Sequence, residues 1–203
     1  MRVIDNTYEK LIQSGENEFF EVGFQKASIR SISSRAGVTI GSLYHYFESK
    51  EDLYERVVEK TAQGYISVAE AAKKNFIDLI KRNDLKNFES CIDEVTNNFN
   101  KFIANNHKRF LILIKNRETE IFKNFFVKVT GIEVEMTALL LESITEKKPD
   151  DEIYNNLRMI IESQYISIFN IRTSNMSPES IENQLTFLFK FYRNGWKGII
   201  HDI

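Results

Sequence analysis

The sequence predicts an all-α protein of about nine helices, in which an N-terminal three-helix unit precedes a longer helical body. Along most of the chain, apolar side chains recur at spacings of three and four residues, which is the period of a helix. The 203 residues include only 2 prolines and 8 glycines, so long helices meet few interruptions. The segment SIRSISSRAGVTIGSLYHYFESK, at Ser28–Lys50, has the form of two short helices joined by a glycine-containing turn, which is a helix-turn-helix.

The first helix is predicted from about Asp5 to Val22, where Gly23 ends it. Gly15 lies inside this helix and has two interpretations: close packing against a neighbouring helix, or a glycine that is tolerated at a cost of about 1 kcal/mol. The side chains predicted to face inward are large and apolar: Tyr8, Leu11, Ile12, Phe19 and Phe20.

The two short helices that follow have clear start and stop signals. Ser28 and Thr39 are the predicted N-caps, because a hydroxyl oxygen can accept from the unpaired amides of a new helix. Gly37 is placed to end the first of the two helices. The apolar residues at helical spacing, which we expect to face inward, are Ile29, Ile32, Ala36, Leu43 and Phe47.

The remaining elements are predicted to be longer helices. Ser49 and Asp52 form a capping box that opens a fourth helix, which continues to about Phe76. Gly64 in its middle either permits a bend or lies on the surface. Five further helices are expected at about 85–103, 110–114, 119–145, 151–172 and from Pro178 onwards.

The final helix carries apolar residues on more than one face, including Leu185, Phe187, Phe191 and Trp196. One face can pack on the body of the protein, and the other then requires a partner, as in a homodimer interface. The alternative is a fully buried core helix.

The net charge of −2 is unevenly distributed along the chain. Residues 1–23 carry two cations against five acids, whereas residues 24–50 carry four cations against the single acid Glu48. Attraction to phosphate depends on such a local patch more than on the total charge. We therefore expect few phosphate contacts from each subunit and a need for two subunits.

Several classes of protein are disfavoured by the sequence. Cys91 is the only cysteine, which excludes an internal disulfide and a cysteine-cluster zinc site and suits a reducing cytoplasm. The three histidines, His45, His107 and His201, do not occur in a metalloprotease or di-iron spacing, and there is no glycine-rich phosphate loop. We thus expect no catalytic residues, metal or cofactor. Neither a signal peptide nor an apolar run long enough to span a membrane is seen, so a cytoplasmic protein is expected.

The N-terminal quarter of the chain carries a set of positions that form a recognisable signature: Phe19, Gly23-Phe24, Ser28-Ile29-Arg30, Ile32, Ala36-Gly37-Val38, the run Gly41–Phe47 and the run Ser49–Leu53. In order and spacing, these positions resemble the signature of the TetR/AcrR-type transcriptional regulators. The rest of the chain resembles the family only in length and helical character. The resemblance implies a helix-turn-helix DNA-binding domain at 1–52 and an effector-binding and dimerisation domain at 53–203.

The resemblance also implies which residues contact DNA. It assigns phosphate contacts to Thr39, Tyr44, Tyr46 and Lys50, with Arg30 as a further candidate. It assigns base edges to Ile40, Ser42 and His45, with Gly41 between them. Ile40 departs from the polar or basic residue common at its position, so a thymine methyl contact is the alternative there. A structural role is expected alongside the phosphate contact of Tyr44: its ring packs mostly against the first helix, and only its hydroxyl reaches the DNA backbone.

By the same resemblance, a small-molecule effector binds among the fourth to eighth helices, and the last two helices form the homodimer. The candidate lining residues are mostly aromatic: Phe99, Phe102, Phe122, Phe126, Gln164 and Tyr165. For any single phenylalanine, an ordinary core position is the alternative. Gln164 is more informative, because a buried amide needs a partner. Such a site would suit an apolar or aromatic molecule.

Two functions follow from these observations. The first is a DNA-binding regulator, a ligand-responsive repressor that releases its operator when a small molecule binds the C-terminal domain. The alternative is a helical small-molecule binding or adaptor protein that no longer reads DNA. The weak charge of the N-terminal domain and the presence of Ile40 support the alternative.

Overall fold

The computed structural model describes residues 6–82 and 87–202 and confirms the all-α prediction. In these two ranges the chain forms nine helices and no strand. In chain order they are α1 Thr7–Lys26, α2 Ile29–Ala36, α3 Ile40–Tyr46, α4 Lys50–Lys81, α5 Phe88–Asn105, α6 His107–Lys115, α7 Glu120–Thr145, α8 Asp151–Arg172 and α9 Pro178–Asp202.

The helix ends differ from the predicted ends at a few places. Gly23 interrupts α1 at φ 78°, as expected for a helix stop, but one further turn follows it as far as Lys26. The fourth helix runs five residues past its predicted end at Phe76, to Lys81. The predicted starts of the first and fifth helices, Asp5 and residue 85, lie outside the described residues.

The chain divides into two compact units, the first formed by residues 1–64 and 102–124 and the second by residues 65–101 and 125–203. In the first unit, helices α1, α2 and α3 pack together, and α6 packs on α1. Its fully buried side chains include Leu11, Phe19, Ile32, Leu43, Leu53, Tyr54, Phe110 and Ile112. The functional division into 1–52 and 53–203 stays a prediction.

The second unit has an aromatic core. Tyr65 of α4 lies 4.7 Å from Phe99 and 5.4 Å from Phe125, measured between ring centroids. Phe169 of α8 continues this cluster at 6.3 Å from Phe125 and 5.8 Å from Tyr165. Aromatic pairs at such separations add to the stabilisation that burial gives. The sequence contains 16 phenylalanines, and three of them, Phe99, Phe125 and Phe169, belong to this cluster.

The last two helices, α8 and α9, pack against each other in the second unit, yet each leaves apolar side chains in solvent. Phe187 and Phe191, one turn apart on α9, are 75% and 64% exposed, whereas Leu185 is buried. On α8, Met159 is 61% exposed and Ile166 is also exposed. The two-faced pattern predicted for the last helix is therefore present, and the alternative of a fully buried core helix is wrong.

Over residues 6–82 and 87–202, no helix has both the length and the apolar character needed to cross a bilayer.

Two helical glycines are explained by close packing. A Cβ atom on Gly15 would lie 3.3 Å from the Leu53 side chain. A Cβ atom on Gly64 would lie only 2.7 Å from the Phe102 ring, which packs directly over the α4 backbone. Gly64 is half-buried in the continuous helix α4, and Phe102 covers this position, so it is not simply a surface glycine.

We expect Gly64→Ala to destabilise the protein although alanine is the better helix former. Its methyl group would force the Phe102 ring away, at a cost of about 1–3 kcal/mol for overpacking. Gly131→Ala on α7 is the matched control, because nothing lies within 4 Å of its added Cβ atom and the change should stabilise by up to about 1 kcal/mol. Urea unfolding of both variants checks the result. In the double variant, Phe102→Ala should remove the destabilisation that Gly64→Ala causes in the wild-type background. If the destabilisation persists, the contact with Phe102 is not its cause.

Candidate nucleic-acid interface

The two helices of the helix-turn-helix, α2 and α3, begin at the predicted capping residues. Ser28 Oγ accepts a hydrogen bond from the Ser31 amide at 3.4 Å, and Thr39 Oγ1 accepts one from the Ser42 amide at 3.1 Å. Gly37 follows α2 at φ 71° and ψ 32°, a left-handed conformation that strains other residues. The predicted start and stop signals of this motif are confirmed.

The inner face of the motif is held by apolar packing and one buried hydrogen bond. Ile32, Leu43 and Phe47 are fully buried, in agreement with their helical spacing. Ser14 of α1 donates a hydrogen bond from Oγ to the Ile32 carbonyl at 2.8 Å. Tyr8 of α1 stacks on Phe47 at a centroid distance of 5.4 Å. These contacts fix α2 and α3 on α1 and leave their opposite sides to solvent.

Glu18 of α1 organises the start of α2, a role that the sequence analysis missed. Its carboxylate is buried and accepts hydrogen bonds from the Ser28 amide at 3.2 Å and the Ser31 hydroxyl at 2.7 Å. A negative charge at a helix N-terminus is favourable, because the unpaired amides there are electropositive. Glu18 follows Leu11 by seven residues, and this spacing was a usable signal that it lies on the buried side of α1.

Most of the predicted DNA-contacting side chains lie on the outer face of α3 and on the adjoining surface of α2. Tyr44 is 53% exposed and Ile40 is 43% exposed. The other exposed members of the predicted set are Arg30, Thr39, Gly41 and His45, while Ser42, Tyr46 and Lys50 are half-buried. We call Thr39, Ile40, Gly41, Tyr44 and His45 the outer face of α3.

The two tyrosines of α3 have different surroundings from those expected. Tyr46, rather than Tyr44, packs on the first helix, with its ring 6.2 Å from that of Tyr8 in an edge-on arrangement. The His45 ring lies 5.2 Å from Tyr46 and keeps an exposed edge. Tyr44 therefore presents its ring as well as its hydroxyl to solvent, which makes the whole side chain available to a ligand.

Lys50 has partners that the sequence did not indicate. Its ammonium donates to the carbonyl oxygens of Phe24, Gln25 and Ala27, at 2.9, 3.4 and 3.3 Å, and lies 4.6 Å from the centre of the Phe24 ring. The first two carbonyls lie in the last turn of α1 and the third belongs to its C-cap residue, and a cation is favourable at this end of a helix. A phosphate contact by Lys50 stays a prediction, and it requires the ammonium to exchange at least one of these acceptors.

The remaining cations of the segment 24–50 divide into paired and unpaired groups. The Arg35 guanidinium makes two hydrogen bonds of 2.9 Å to Glu21 and lies 3.4 Å from Glu18. Hydrogen bonding between the two groups lowers the pKa of Glu21 and raises that of Arg35. Within the described residues, Arg30 and Lys26 are exposed and have no carboxylate within 4 Å. Arg30 and Lys26 are therefore the cations of this segment that are available to phosphate.

A second residue that the sequence analysis missed, Asn116, joins the end of α6 to the kink in α1. Its Oδ1 accepts a hydrogen bond from the Phe24 amide at 2.8 Å, and its Nδ2 donates to the Ile112 carbonyl at 2.7 Å. The Tyr54 hydroxyl donates to the same carbonyl at 3.1 Å. Because Asn116 is the C-cap residue of α6 and has left the helical conformation, no periodic pattern in the sequence marks it as buried.

The six predicted effector-lining residues fall into both compact units. Phe102 and Phe122 belong to the first unit, where Phe102 covers Gly64. Phe99, Phe126, Gln164 and Tyr165 belong to the second unit. There Phe99 contacts Tyr65, and Phe126 lies 6.4 Å from Phe169. Gln164 has a buried Oε1 without a hydrogen-bond partner among the described residues. Burial raises the pKa of the Glu133 carboxyl, which also belongs to the second unit and was missed by the sequence analysis.

Comparison with known proteins agrees with the geometry of the first unit. Residues 11–57 match the family model described as bacterial regulatory proteins, tetR family. The transposon Tn10 TetC protein of Escherichia coli is 25% identical over 158 residues, which are 75% of this chain and 74% of that protein. The probable regulator YttP of Bacillus subtilis is 33% identical over 70 residues, about a third of each chain. The repressor KstR2 of Mycolicibacterium smegmatis is 38% identical over 50 residues, about a quarter of each chain.

Solved structures agree over a larger part of the chain. A TetR-like transcriptional regulator from Rhodococcus sp. RHA1 superposes with a TM-score of 0.56 at 15% identity, covering 95% of both chains. A transcriptional regulator from Aquifex aeolicus gives a TM-score of 0.55 at 24% identity, covering 95% of this chain and 99% of that one. At these identities the likeness concerns the fold.

Proposed function

We propose that this chain, in which residues 11–57 match the tetR family of bacterial regulatory proteins, is a ligand-responsive repressor that binds its operator as a homodimer. Transcriptional regulation is the function of the family. The finer proposal is that a small molecule binds the C-terminal domain and the protein then leaves the DNA. A ligand has this effect only if it binds the DNA-free state more tightly than the DNA-bound state.

The observation that carries the DNA-binding proposal is the exposed outer face of α3. A helix of this kind enters the major groove with base contacts near its N-terminus. Ile40 would contact a thymine methyl group, and Ser42 and His45 would donate to or accept from base edges. Thr39, Tyr44 and Tyr46 would contact phosphates, which position the helix without reading sequence.

The distribution of charge also supports DNA binding at this surface, but it limits the affinity of a single subunit. Arg35 and Lys50 are engaged within the protein, so Arg30 and Lys26 supply the available positive charge of this segment. A single subunit would therefore bind DNA weakly. Two subunits that contact half-sites about 34–36 Å apart, one helical turn, would combine two such weak contacts.

The proposed dimer uses the last two helices. Met159 and Ile166 on α8 and Phe187 and Phe191 on α9 are exposed apolar side chains on two helices that pack together. Monomers rarely leave large contiguous apolar patches in solvent. A second copy of the chain would cover these side chains.

The effector proposed for the domain 53–203 is an apolar or aromatic small molecule. The aromatic core of the second unit supports this chemical class.

Salt-dependent binding to duplex DNA tests the proposal. We expect the wild-type protein to bind a duplex from the promoter of its own gene, with an affinity that falls steeply as salt rises. Arg30→Ala should weaken binding to all sequences, because it removes a phosphate partner. The slope of log affinity against log salt should become shallower by about one for each phosphate that Arg30 neutralises. Fluorescence anisotropy over a salt series measures both quantities.

Two controls accompany this measurement. Lys60→Ala removes an exposed cation from α4, outside the proposed interface, and should leave both the affinity and the salt slope unchanged. Tyr44→Ala on the outer face of α3 should lower affinity at every salt concentration. The alternative function, a helical binding or adaptor protein, predicts no salt-dependent affinity for any duplex, and that result would refute the repressor proposal.

A further inference from the structure

Lys50, the first residue of α4, directs its side chain back to the connection between α1 and α2. Its ammonium donates to the carbonyl oxygens of Phe24, Gln25 and Ala27 at 2.9, 3.4 and 3.3 Å. A lysine ammonium has three N–H donors and no acceptor, so these three carbonyls can use its whole donor capacity. A phosphate oxygen would therefore compete with carbonyls that the protein itself supplies.

The three acceptors lie where the chain leaves α1. Gly23 interrupts α1 at φ 78°, one further turn follows as far as Lys26, and Ala27 is an extended C-cap residue. The last carbonyls of a helix receive no donor from the helix itself and need one from elsewhere. Lys50 supplies such a donor, and its positive charge suits the negative end of the helix dipole.

Ring contacts reinforce the same connection. The Lys50 ammonium lies 4.6 Å from the centre of the Phe24 ring, and this ring lies 5.0 Å from that of Tyr54, one turn further along α4. Phe24 is buried. The residues that follow the kink in α1 are thus held against the first two turns of α4 by hydrogen bonds, a cation–π contact and ring packing.

The helix-turn-helix lies between the two segments that Lys50 joins. α2 and α3 occupy Ile29–Ala36 and Ile40–Tyr46, so the chain enters this motif soon after Ala27 and leaves it shortly before Lys50. The contacts of Lys50 with residues 23 to 26 positions earlier therefore tie the two ends of the motif together. Their loss would free the entry to α2, on which α3 is packed.

We propose that Lys50 is a positioning residue, which fixes the entry to α2 relative to the start of α4 and so orients the outer face of α3 for the major groove. In the DNA complex it keeps its carbonyl partners, in place of the phosphate contact that the family resemblance implies. It acts on DNA only through the α1–α2 connection. This inference rests on the proposed DNA-binding function and adds a residue that determines its affinity.

The salt dependence of operator binding separates a positioning residue from a phosphate ligand. Lys50→Met keeps an unbranched side chain and removes the charge and the three donors. We expect operator affinity to fall at least about tenfold, because a shifted α3 weakens base contacts in both subunits. The slope of log affinity against log salt should stay at the wild-type value, because no phosphate contact is lost.

Lys60→Met, which removes an exposed cation from α4, is the matched control for this variant. It should change neither the affinity nor the slope in the same fluorescence-anisotropy series. Wild-type affinity in Lys50→Met would overturn the proposal. So would a slope that becomes shallower by about one for each phosphate lost.

Hydrogen exchange distinguishes this role from a general contribution to stability. In Lys50→Met, exchange should become faster at the Ala27 amide, which ends α1, and at the Ile32 amide in the first turn of α2. The amides of Val57 and Val58, which are buried on α4, should be less affected. Equal acceleration at both sites would indicate a loss of overall stability and would contradict a positioning role, as would unchanged exchange at Ala27 and Ile32.

Lys50→Gln serves if Lys50→Met does not fold. The glutamine amide keeps two N–H donors for the carbonyls but carries no charge. A positioning role therefore predicts a smaller loss of affinity than the complete removal of the donors, again with the wild-type slope. A phosphate ligand would lose its charge in this variant too, so a shallower slope in Lys50→Gln would refute the inference.

The two measurements keep this inference separate from the proposed function. If the wild-type protein binds its operator with salt dependence and Lys50→Met binds equally well, the inference fails and the regulator proposal stands. If the wild-type protein binds no duplex, the DNA-binding proposal fails. The exchange data then decide by themselves whether Lys50 fixes the α1–α2 connection.

Discussion

Replacing Phe187 and Phe191 together by aspartate should convert the protein to a monomer and lower its operator affinity by at least about 100-fold. The two rings are 75% and 64% exposed, one turn apart on α9. Full burial of one such side chain contributes about 1.5–3 kcal/mol, and an interface would bury each ring in both subunits. Aspartate removes this contribution and places four carboxylates in the interface. The loss of the dimer separates the two weak DNA contacts.

Sedimentation velocity gives the mass of each variant, and anisotropy with the operator duplex gives its affinity. Val127→Asp is the matched control, because Val127 is an exposed apolar residue of the same unit that lies on α7. It should remain dimeric and bind DNA as the wild type does. A dimer that persists in the double variant would show that another surface joins the subunits. The α8–α9 assignment would then be wrong.

Asn116→Ala should lower the free energy of unfolding by about 2–4 kcal/mol, because it leaves the buried Phe24 amide without an acceptor and removes a donor from the Ile112 carbonyl. The amide belongs to the residue that follows the Gly23 kink, at the junction between α1 and α2. Faster hydrogen exchange at the Phe24 amide is the specific sign of this loss. Operator affinity should fall as well, since the junction sets the start of the helix-turn-helix.

Asn106→Ala is the control for this change. The Asn106 amide also donates to the carbonyl of the residue four positions earlier, Phe102, at 2.9 Å, but it is half-buried and leaves no amide orphaned. We expect it to cost no more than about 1 kcal/mol. Similar unfolding free energies for the two variants, or unchanged exchange at Phe24, would mean that Asn116 does not fix the α1–α2 junction.

The local features of the helix-turn-helix were predictable because neighbouring residues determine them. Ser28 and Thr39 cap their helices through amides three positions away, and Gly37 supplies a conformation that its own lack of a side chain permits. The inward positions Ile32, Leu43 and Phe47 follow from helical spacing alone. The exposed outer face of α3 then follows, since the other residues of a short helix must point away from the core.

The partners of the polar side chains were not predictable. Lys50 looked like a phosphate ligand by position, yet its ammonium lies against three carbonyls of α1 and its C-cap, more than twenty residues earlier in the chain. Tyr46 took the place against the first helix that was expected for Tyr44. Such pairings depend on where α1 ends relative to α3 and α4. The packing of the helices sets these relative positions, and no periodic pattern in the sequence predicts them.

The sequence by itself determined the helical character of the chain, the caps of the helix-turn-helix, the buried stripe of the N-terminal unit, the two-faced last helix and the family signature. These features depend on spacing along one helix or on a few adjacent residues. Only the tertiary structure decided that Glu18 caps α2, that Asn116 ties α6 to the α1 kink and that Phe102 covers Gly64. Each of these is a contact between segments that are separated in the chain. Such a contact stabilises the protein only after the helices have packed.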